Sequence, residues 1–278
     1  MTARAWLNIA LVALLAGLAA VAWLKPGQTD ARLLQIDAEA VNHIVIERAR
    51  KPVIRLEKRH RQWWVTSPIV VRANPARVAS VLELTITTGD TRYPADSLEL
   101  ARFGLANPGV TVKLDGKTIA FGRINPVTQL RYVQTGHTVH LISDVLFNLE
   151  SSGAAAYASI ALLPAVANIE ALRLPDIDIR RAKDGAWTAS PAALAPRAIK
   201  NTLRAWREAS AIRVGAYRKQ PSGDRVTVAL ENGRAMYFEV VAREAELILA
   251  RPGLRLQYHL PATSAASLLP VSADAEQP

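Results

Sequence analysis

The sequence predicts an α+β fold in which an N-terminal transmembrane helix precedes two duplicated α+β subdomains with mostly antiparallel sheets. Three observations predict it: an apolar run near the start, a pattern that occurs twice at a constant offset, and short alternating segments joined by tight-turn dipeptides. The predicted segments are an anchor at 1–26, a linker at 27–40, a first α+β repeat at 41–150, a helical connector at 151–165, a second α+β repeat at 166–270 and a flexible tail at 271–278.

The apolar run extends from Trp6 to Leu24, with Asn8 as its only strongly polar residue. At a rise of about 1.5 Å per residue it spans roughly 28 Å, which is close to the hydrocarbon thickness of a bilayer. Tryptophan stands at or near both ends, where aromatic rings favour the membrane interface, and Pro26 ends the helix. This pattern predicts an uncleaved anchor and therefore membrane lipid as a partner; a signal peptide cleaved near Ala22 is the alternative.

An internal repeat is the clearest sign of how the rest of the chain is organised. Residues 54–68 match residues 177–191 at a constant offset, so that Trp64 pairs with Trp187 and each copy ends in Ser-Pro. Such a repeat predicts two copies of one structural unit.

An amphipathic helix is predicted after the repeated pattern in each copy. In the first copy Asn74 is a good N-cap residue, Pro75 suits the first helical position, and residues 78, 81 and 82 fall on one face. The second helix begins at Pro196 and places on its apolar face Ile199, Leu203 and Trp206.

Alternating segments around these helices predict strands, and three dipeptides predict tight turns: Asp115-Gly116, Asp184-Gly185 and Asn232-Gly233. The predicted strands are 44–48, 53–58, 110–114, 118–122, 130–134 and 139–142 in the first copy, and 169–174, 226–230, 235–241, 247–251 and 254–260 in the second.

The composition narrows the classes of function. The chain has no cysteine, which excludes disulfides, thiolate zinc sites, a cysteine nucleophile and a lipidated N-terminal cysteine. Its formal net charge of +10 makes lipid headgroups, polyanionic envelope polymers or nucleic acid plausible partners, and solubility beside a negatively charged membrane is the other explanation. The membrane anchor argues against nucleic acid.

Two patterns in the sequence resemble catalytic or metal-binding motifs but lack features that those motifs need. Residues 115–118 resemble the end of a phosphate-binding loop, but Thr111 stands where that loop needs glycine, so a hairpin turn is predicted instead. His137 and His140 would point to opposite faces of a strand and so could not easily share a metal ion.

One acidic pair leaves two interpretations open. Asp176 and Asp178 share a strand face, so a two-carboxylate role is conceivable, although capping of the strand entry is favoured. We therefore expect a protein without enzymatic activity, cofactor or metal site.

Two basic clusters are the best remaining signal for function. On the second helix the spacing of three, four and three makes a continuous basic stripe opposite the apolar face. The functional interpretation is contact with phosphate or carboxylate groups, and the alternative is a solvated outer face. The stripe consists of Arg197, Lys200, Arg204 and Arg207, and the candidates in the first cluster are Arg48, Arg50, Lys51, Arg59 and Arg61.

Two adjacent tryptophans lie beside the first cluster. Neighbouring residues of a strand face opposite ways, so one ring of the pair should be buried and the other could be exposed. Trp63 is the candidate for an exposed contact and Trp64 the candidate for a structural position.

The first copy also resembles a bacterial family that is catalogued as domain of unknown function 4340. The resemblance covers about residues 40–150, and the second copy lacks a counterpart of its Phe-Gly-Leu motif. The matching residues, which all look structural, are Trp64, Pro68, Asn74, Phe103, Gly104, Leu105, Pro108, Gly122 and Tyr132.

The resemblance implies a setting and no reaction. Similar proteins have an N-terminal membrane helix and an extracytoplasmic domain, and occur beside gliding-motility and ABC-transport components. We expect a single-pass protein of the bacterial cytoplasmic (inner) membrane, with its C-terminal domain outside, that is a non-enzymatic accessory or scaffold subunit of a membrane complex. The alternative is a polyanion- or lipid-binding module that uses the basic helix face.

Overall fold

The computed structural model describes residues 32–89, 91–144, 152–190, 194–218 and 223–270. The predicted anchor at 6–24 and the predicted tail at 271–278 lie outside these ranges. Within them, no helix is both long and apolar enough to cross a membrane.

The first sheet is antiparallel and has nine strands among the described residues, in the order β4-β3-β2-β1-β6-β7-β8-β9-β5. Alternation of apolar and polar residues gives it an inner face that carries the core, as at Ile44 and Ile46, which are fully buried. The strands are β1 (His43–Arg48), β2 (Ile54–Arg59), β3 (Gln62–Ser67), β4 (Val71–Arg72), β5 (Thr91–Pro94), β6 (Val110–Leu114), β7 (Lys117–Ile124), β8 (Leu130–Thr135) and β9 (Thr138–Ser143).

The second sheet is also antiparallel and has eight strands in the described part, in the order β12-β11-β10-β14-β15-β16-β17-β13. As far as the described residues go, this order is that of the first sheet without a counterpart of β4. The strands are β10 (Ile169–Arg173), β11 (Asp178–Arg181), β12 (Trp187–Ser190), β13 (Arg213–Ala216), β14 (Arg225–Leu230), β15 (Ala235–Ala242), β16 (Glu246–Arg251) and β17 (Leu256–Pro261).

The two predicted helices are confirmed. Helix α1 (Pro75–Leu82) follows Asn74, whose side-chain oxygen accepts a hydrogen bond from the Ala76 backbone N–H at 3.0 Å. Helix α2 (Pro196–Glu208) buries the three predicted residues, and a short helix α3 (Ser264–Leu268) packs against it. The Trp206 indole N–H donates to the Leu268 carbonyl at 2.8 Å, which ties these two helices together.

The sheets share a continuous hydrophobic cluster that includes residues of both sheets and of α1 and α2. Its largest aromatic group belongs to the second sheet, where the Phe238 ring lies 5.5 Å from Trp206 and 6.4 Å from Tyr258. The prediction of mostly antiparallel sheets is confirmed, and the described residues contain few helices.

Strand register changes the residue matching of the repeat. Leu56 pairs with Val65 and Lys58 with Trp63 in the first sheet, while Ile179 pairs with Ala189 and Arg181 with Trp187 in the second. The sheet position of Trp187 therefore corresponds to Trp63, and the predicted match with Trp64 is wrong by one residue. The reason is the longer turn between β11 and β12, which a constant offset cannot represent.

The segment predicted as a linker at 27–40 is part of the fold from residue 32 onwards. Leu33 and Leu34 are buried in the core, and the Leu33 N–H donates to the Thr87 carbonyl at 2.9 Å. A short 3-10 helix, Ala38–Ala40, then leads into β1.

The connector between the sheets was predicted to be helical, but among its described residues only Ala154–Tyr157 forms a 3-10 helix. It then runs extended and pairs with both halves of the molecule. The Tyr157 carbonyl accepts from the Asn74 N–H at 2.7 Å, and the Leu162 N–H donates to the Ala209 carbonyl at 3.1 Å. The connector thus joins the start of α1 to the end of α2.

Candidate functional site

The basic stripe of α2 is presented to solvent. Its four cations, Arg197, Lys200, Arg204 and Arg207, are exposed, while the opposite face of the helix is buried against the second sheet. At about 1.5 Å per residue the stripe is roughly 15 Å long. Among the described residues, no carboxylate forms an ion pair with any of the four. Within the described ranges the stripe is therefore an array of positive charge that no ion pair neutralises, although the exposed Glu208 lies on the same helix.

The cations of the stripe differ in their effect on the stability of the helix. Helix α2 begins at Ala195 without a side-chain cap, and Arg197 occupies its first turn. The N-terminal end of a helix carries partial positive charge and favours acidic residues, so a cation there is mildly unfavourable. Lys200 and Arg204, four residues apart, also repel one another, whereas Arg207 lies in the last turn, where a cation is favourable.

The residues of the first basic cluster do not form one patch. Arg59 donates to the Glu57 carboxylate at 2.6 Å, so its charge is neutralised within the chain. Arg50 and Arg61 are exposed in separate turns, with positive φ angles of 57° and 64°. Lys51, in the turn after β1, is exposed and makes an interaction of its own.

Arg48 is buried, so its predicted role as a surface anion contact is wrong. Its side chain is directed inward from the end of β1, where it donates to the carbonyls of Pro52, at 2.9 Å, and Ser152. Burial lowers the pKa of Arg48, and burial also raises the pKa of the nearby Tyr157 hydroxyl to about 12. Arg48 therefore links the end of β1 to the connector by a hydrogen bond.

The two adjacent tryptophans are both half-buried, and their orientations are the opposite of those predicted. Trp63 shares a strand face with the fully buried Val65 and packs against the core. Trp64 lies on the outer face of the sheet, opposite Glu57 on β2 and Arg72 on β4. Adjacent strand residues face opposite ways, so the apolar Val65 in the sequence could have indicated that Trp63 faces the core and Trp64 faces away from it.

Most of the expected family-motif residues assemble in one place. Residues 95–109, which we call the flap, cross the outer face of the first sheet between β5 and β6. Leu105 is buried there in a small second hydrophobic cluster, with the Phe103 ring 4.6 Å from that of Tyr132. Asn125 donates to the Tyr132 hydroxyl at 2.9 Å, which fixes the neighbouring β7–β8 turn.

The two motif glycines are required by the backbone of the flap. Gly104 has a φ of 72°, and the Phe103 carbonyl accepts from the Arg123 N–H at 2.8 Å. A Cβ atom at Gly122 would lie 2.4 Å from that carbonyl oxygen, so only glycine lets the flap close on the sheet. The motif therefore specifies a packed structural element.

A hydrogen-bond network around His259 was not foreseen from the sequence. The Gln257 Oε1 accepts from the Arg218 backbone N–H at 3.2 Å, which directs the Gln257 amide N–H toward His259 Nε2 at 2.9 Å. His259 Nε2 must then accept, and its Nδ1–H donates to Glu246 at 2.7 Å. Both ring nitrogens are occupied, so this histidine joins β13, β16 and β17 and leaves no free base.

The other candidate ligands are not brought together. His140 is buried, whereas His137 is exposed in the β8–β9 turn, and Asp178 is bonded to Arg173 and Arg180. Across the described ranges, no group of three or more histidine and acidic side chains could hold a metal ion.

Comparison with known proteins gives the family. A family model described as domain of unknown function (DUF4340) matches residues 63–232, which is more than half of the chain. The match includes the flap and α2 and so extends well into the second sheet. No curated protein and no solved structure matches the chain. The chain belongs to the DUF4340 family.

Proposed function

We propose that the protein is a non-enzymatic accessory or scaffold subunit of a membrane complex, and that it meets an anionic partner through the basic face of α2. In this proposal residues 6–24 anchor it in the bacterial cytoplasmic membrane, and the two sheets lie outside the cytoplasm. An ABC transporter is a candidate complex, because the family resemblance implies that setting.

The observation that carries the proposal is the unneutralised stripe Arg197, Lys200, Arg204 and Arg207. Several acidic side chains elsewhere in the described part of the chain are paired with arginines, as Glu231 is with Arg181 at 2.8 Å and Glu246 is with Arg213 at 3.1 Å. The stripe has no such partner among the described residues, and Arg197 stands in the first turn of α2, where a cation is mildly unfavourable. A counter-charge supplied from outside, by lipid headgroups or an anionic polymer, accounts for both facts.

The shared core supports a scaffold role. Residues of both sheets belong to one hydrophobic cluster, and the connector makes backbone hydrogen bonds to the start of α1 and the end of α2. The stripe is thus carried by a packed body in which both sheets take part.

Charge reversal tests the role of the stripe. All four cations are changed to glutamate in the full chain, and binding to vesicles is measured with and without anionic lipid. We expect binding to anionic vesicles to fall at least about tenfold and to weaken with salt, because exposed charges are screened.

The matched control reverses four exposed cations that are scattered over the molecule: Arg77, Arg102, Lys117 and Arg234. It has the same change in net charge and should retain most of the binding. Equal loss in both variants would show that only net charge matters, and full binding by the stripe variant would refute the role of α2.

The accessory role has its own test. The full chain is purified from mildly solubilised membranes, and co-purifying chains are identified by mass spectrometry. Stoichiometric transporter subunits are the expected result, whereas a protein that is recovered alone would contradict the accessory role.

A further inference from the structure

Trp64 is a large aromatic residue without a packing role in the core. It is half-buried on the outer face of β3, and it belongs to neither hydrophobic cluster, although the adjacent Trp63 packs against the main one. In the described part of the molecule, no aromatic ring or cation stacks on it. Its exposed surface is therefore free to meet a ligand.

Polar residues continue from Trp64 across four strands. Strand register places Arg72 on β4, Glu57 on β2 and His43 on β1 in line with it, on the face away from the core. We call these four residues the Trp64 row. With strands about 4.8 Å apart, the row is roughly 15 Å long.

The row offers ionised groups for hydrogen bonding beside the ring. Glu57 accepts from Arg59 Nε at 3.1 Å and Nη2 at 2.6 Å, and these bonds lower its pKa. On the same face, Arg55 and Arg72 have no carboxylate partner among the described residues. The free charge around Trp64 is therefore positive.

The second sheet shows that the fold does not require this arrangement. Thr188 occupies the position equivalent to Trp64, and register continues from it to Arg180 and Ala171. No aromatic residue or carboxylate is present in that row. The Trp64 row is thus a property of the first sheet alone.

We propose that the Trp64 row binds an acidic polysaccharide. The partly negative face of an indole ring attracts the C–H face of a sugar, and the paired Glu57 and Arg59 can accept from and donate to neighbouring hydroxyls. The unpaired guanidinium groups of Arg55 and Arg72 match sugar carboxylates. The site is separate from the α2 stripe, so binding at one site can be tested without the other.

Two other occupants fit the row less well. An acyl chain would bury the ionised Glu57 without a new partner, which is costly. A single-stranded nucleic acid could stack on tryptophan and pair with arginine, but the location outside the cytoplasm, which rests on the proposed function, separates the protein from the nucleic acid of the cell.

The test uses the full chain in a non-ionic detergent on an array of immobilised oligosaccharides, with carboxylated glycans beside their methyl esters and with single-stranded oligonucleotides. We expect carboxylated glycans to be retained and their methyl esters to be bound more weakly. Trp64→Ala should weaken binding about fivefold or more, since the aromatic contact is lost, and Trp64→Phe should restore part of it. Arg72→Ala should reduce the preference for carboxylated glycans.

Tyr237→Ala is the matched control, because Tyr237 is an exposed aromatic residue on the outer face of the second sheet. It should bind as the unchanged chain does, and near-UV circular dichroism should show that all variants are folded. Failure to retain any acidic glycan would overturn the proposal. Preference for oligonucleotides, or retention that depends on α2 but not on Trp64, would do so as well.

Discussion

In the part of the molecule that the structure describes, the first sheet carries the flap and the second sheet has no equivalent of it. In the first, residues 95–109 cross the outer face between β5 and β6 and enclose a small hydrophobic cluster. In the second, only residues 217–224 connect the equivalent strands β13 and β14. The helices differ in the opposite sense, because α1 exposes mainly small or neutral residues whereas α2 exposes the basic stripe. One strand order thus supports a covered first sheet and a charged second helix.

The difference separates the positions that serve packing from the positions that are candidates for contact with a partner. The motif residues that define the flap have packing roles, so they explain why the first sheet is built as it is and not what it binds. The candidate contacts lie where packing leaves room for them, on the outer face beyond the flap and on the exposed face of α2. Four measurements test this difference between the two sheets and their helices.

The largest effect is expected from the helix cores. Trp206 is fully buried in α2, and its indole N–H is hydrogen-bonded to Leu268, so Trp206→Ala should cost about 4 kcal/mol of unfolding free energy. Val81→Ala in α1 leaves a smaller cavity and should cost about 2 kcal/mol. Urea unfolding of the full chain in detergent gives both values, and equal losses would contradict the expected difference in cavity size.

The flap provides the next largest effect. A Cβ at Gly122 meets the Phe103 carbonyl at 2.4 Å, so Gly122→Ala must push the flap away and should cost about 2 to 3 kcal/mol. Hydrogen exchange should show faster exchange at Arg123, whose N–H is bonded to that carbonyl. Gly253→Ala in the second half is the control, because a Cβ there meets nothing within 4 Å. Unchanged exchange at Arg123 would show that the flap does not depend on this contact.

The caps of the two helices give a reciprocal prediction. Asn74→Ala removes the side-chain cap of α1 and should destabilise the protein by about 1 kcal/mol. Ala195→Asn should stabilise α2 by about 0.5 to 1 kcal/mol, because Ala195 already has extended N-cap backbone angles, with φ −60° and ψ 148°, but no capping side chain. Both changes are measured by urea unfolding, and the same sign for both would contradict the difference between the helix starts.

The helices were predictable because their signals are local. Asn74 and Pro75 mark the start of α1, and the spacing of Ile199, Leu203 and Trp206 marks the buried face of α2. Edge strands such as β5 gave no signal, since all four of its residues are exposed and no alternation exists. Helices and strands could thus be predicted from the sequence where residues alternate between core and solvent.

The errors concern contacts between residues distant in sequence. Arg48 stands among other basic residues, and only the approach of Ser152 from the connector shows that it is buried. Leu33 and Leu34 were placed in a linker because their partners lie beyond α1. Trp64 was assigned a structural role from its motif. That it faces away from the core could be known only once the face of the sheet that packs against the core was known.

The smallest effect is expected from pH, and it concerns the first sheet. His140 is buried on β9, its Nδ1 has no hydrogen-bond partner among the described residues, and its pKa is lowered by burial and by the charge of Arg92. The folded protein then binds fewer protons than the unfolded chain, so this contribution to stability is present above the ordinary value of 6.5. It is lost as the pH falls below 6.5 toward the lowered pKa.

Unfolding free energies measured at steps below pH 6.5 test this sign. The unchanged chain should lose stability with falling pH, and His140→Gln should flatten that slope, because glutamine takes up no proton. His137→Gln, an exposed change in the same hairpin, should keep the slope. The carboxylates of Glu57 and Glu246 do not confuse the result, because hydrogen bonds lower their pKa values from 4.5 and so place their effect at lower pH. If His140→Gln keeps the full slope, a group other than His140 causes the loss of stability in acid.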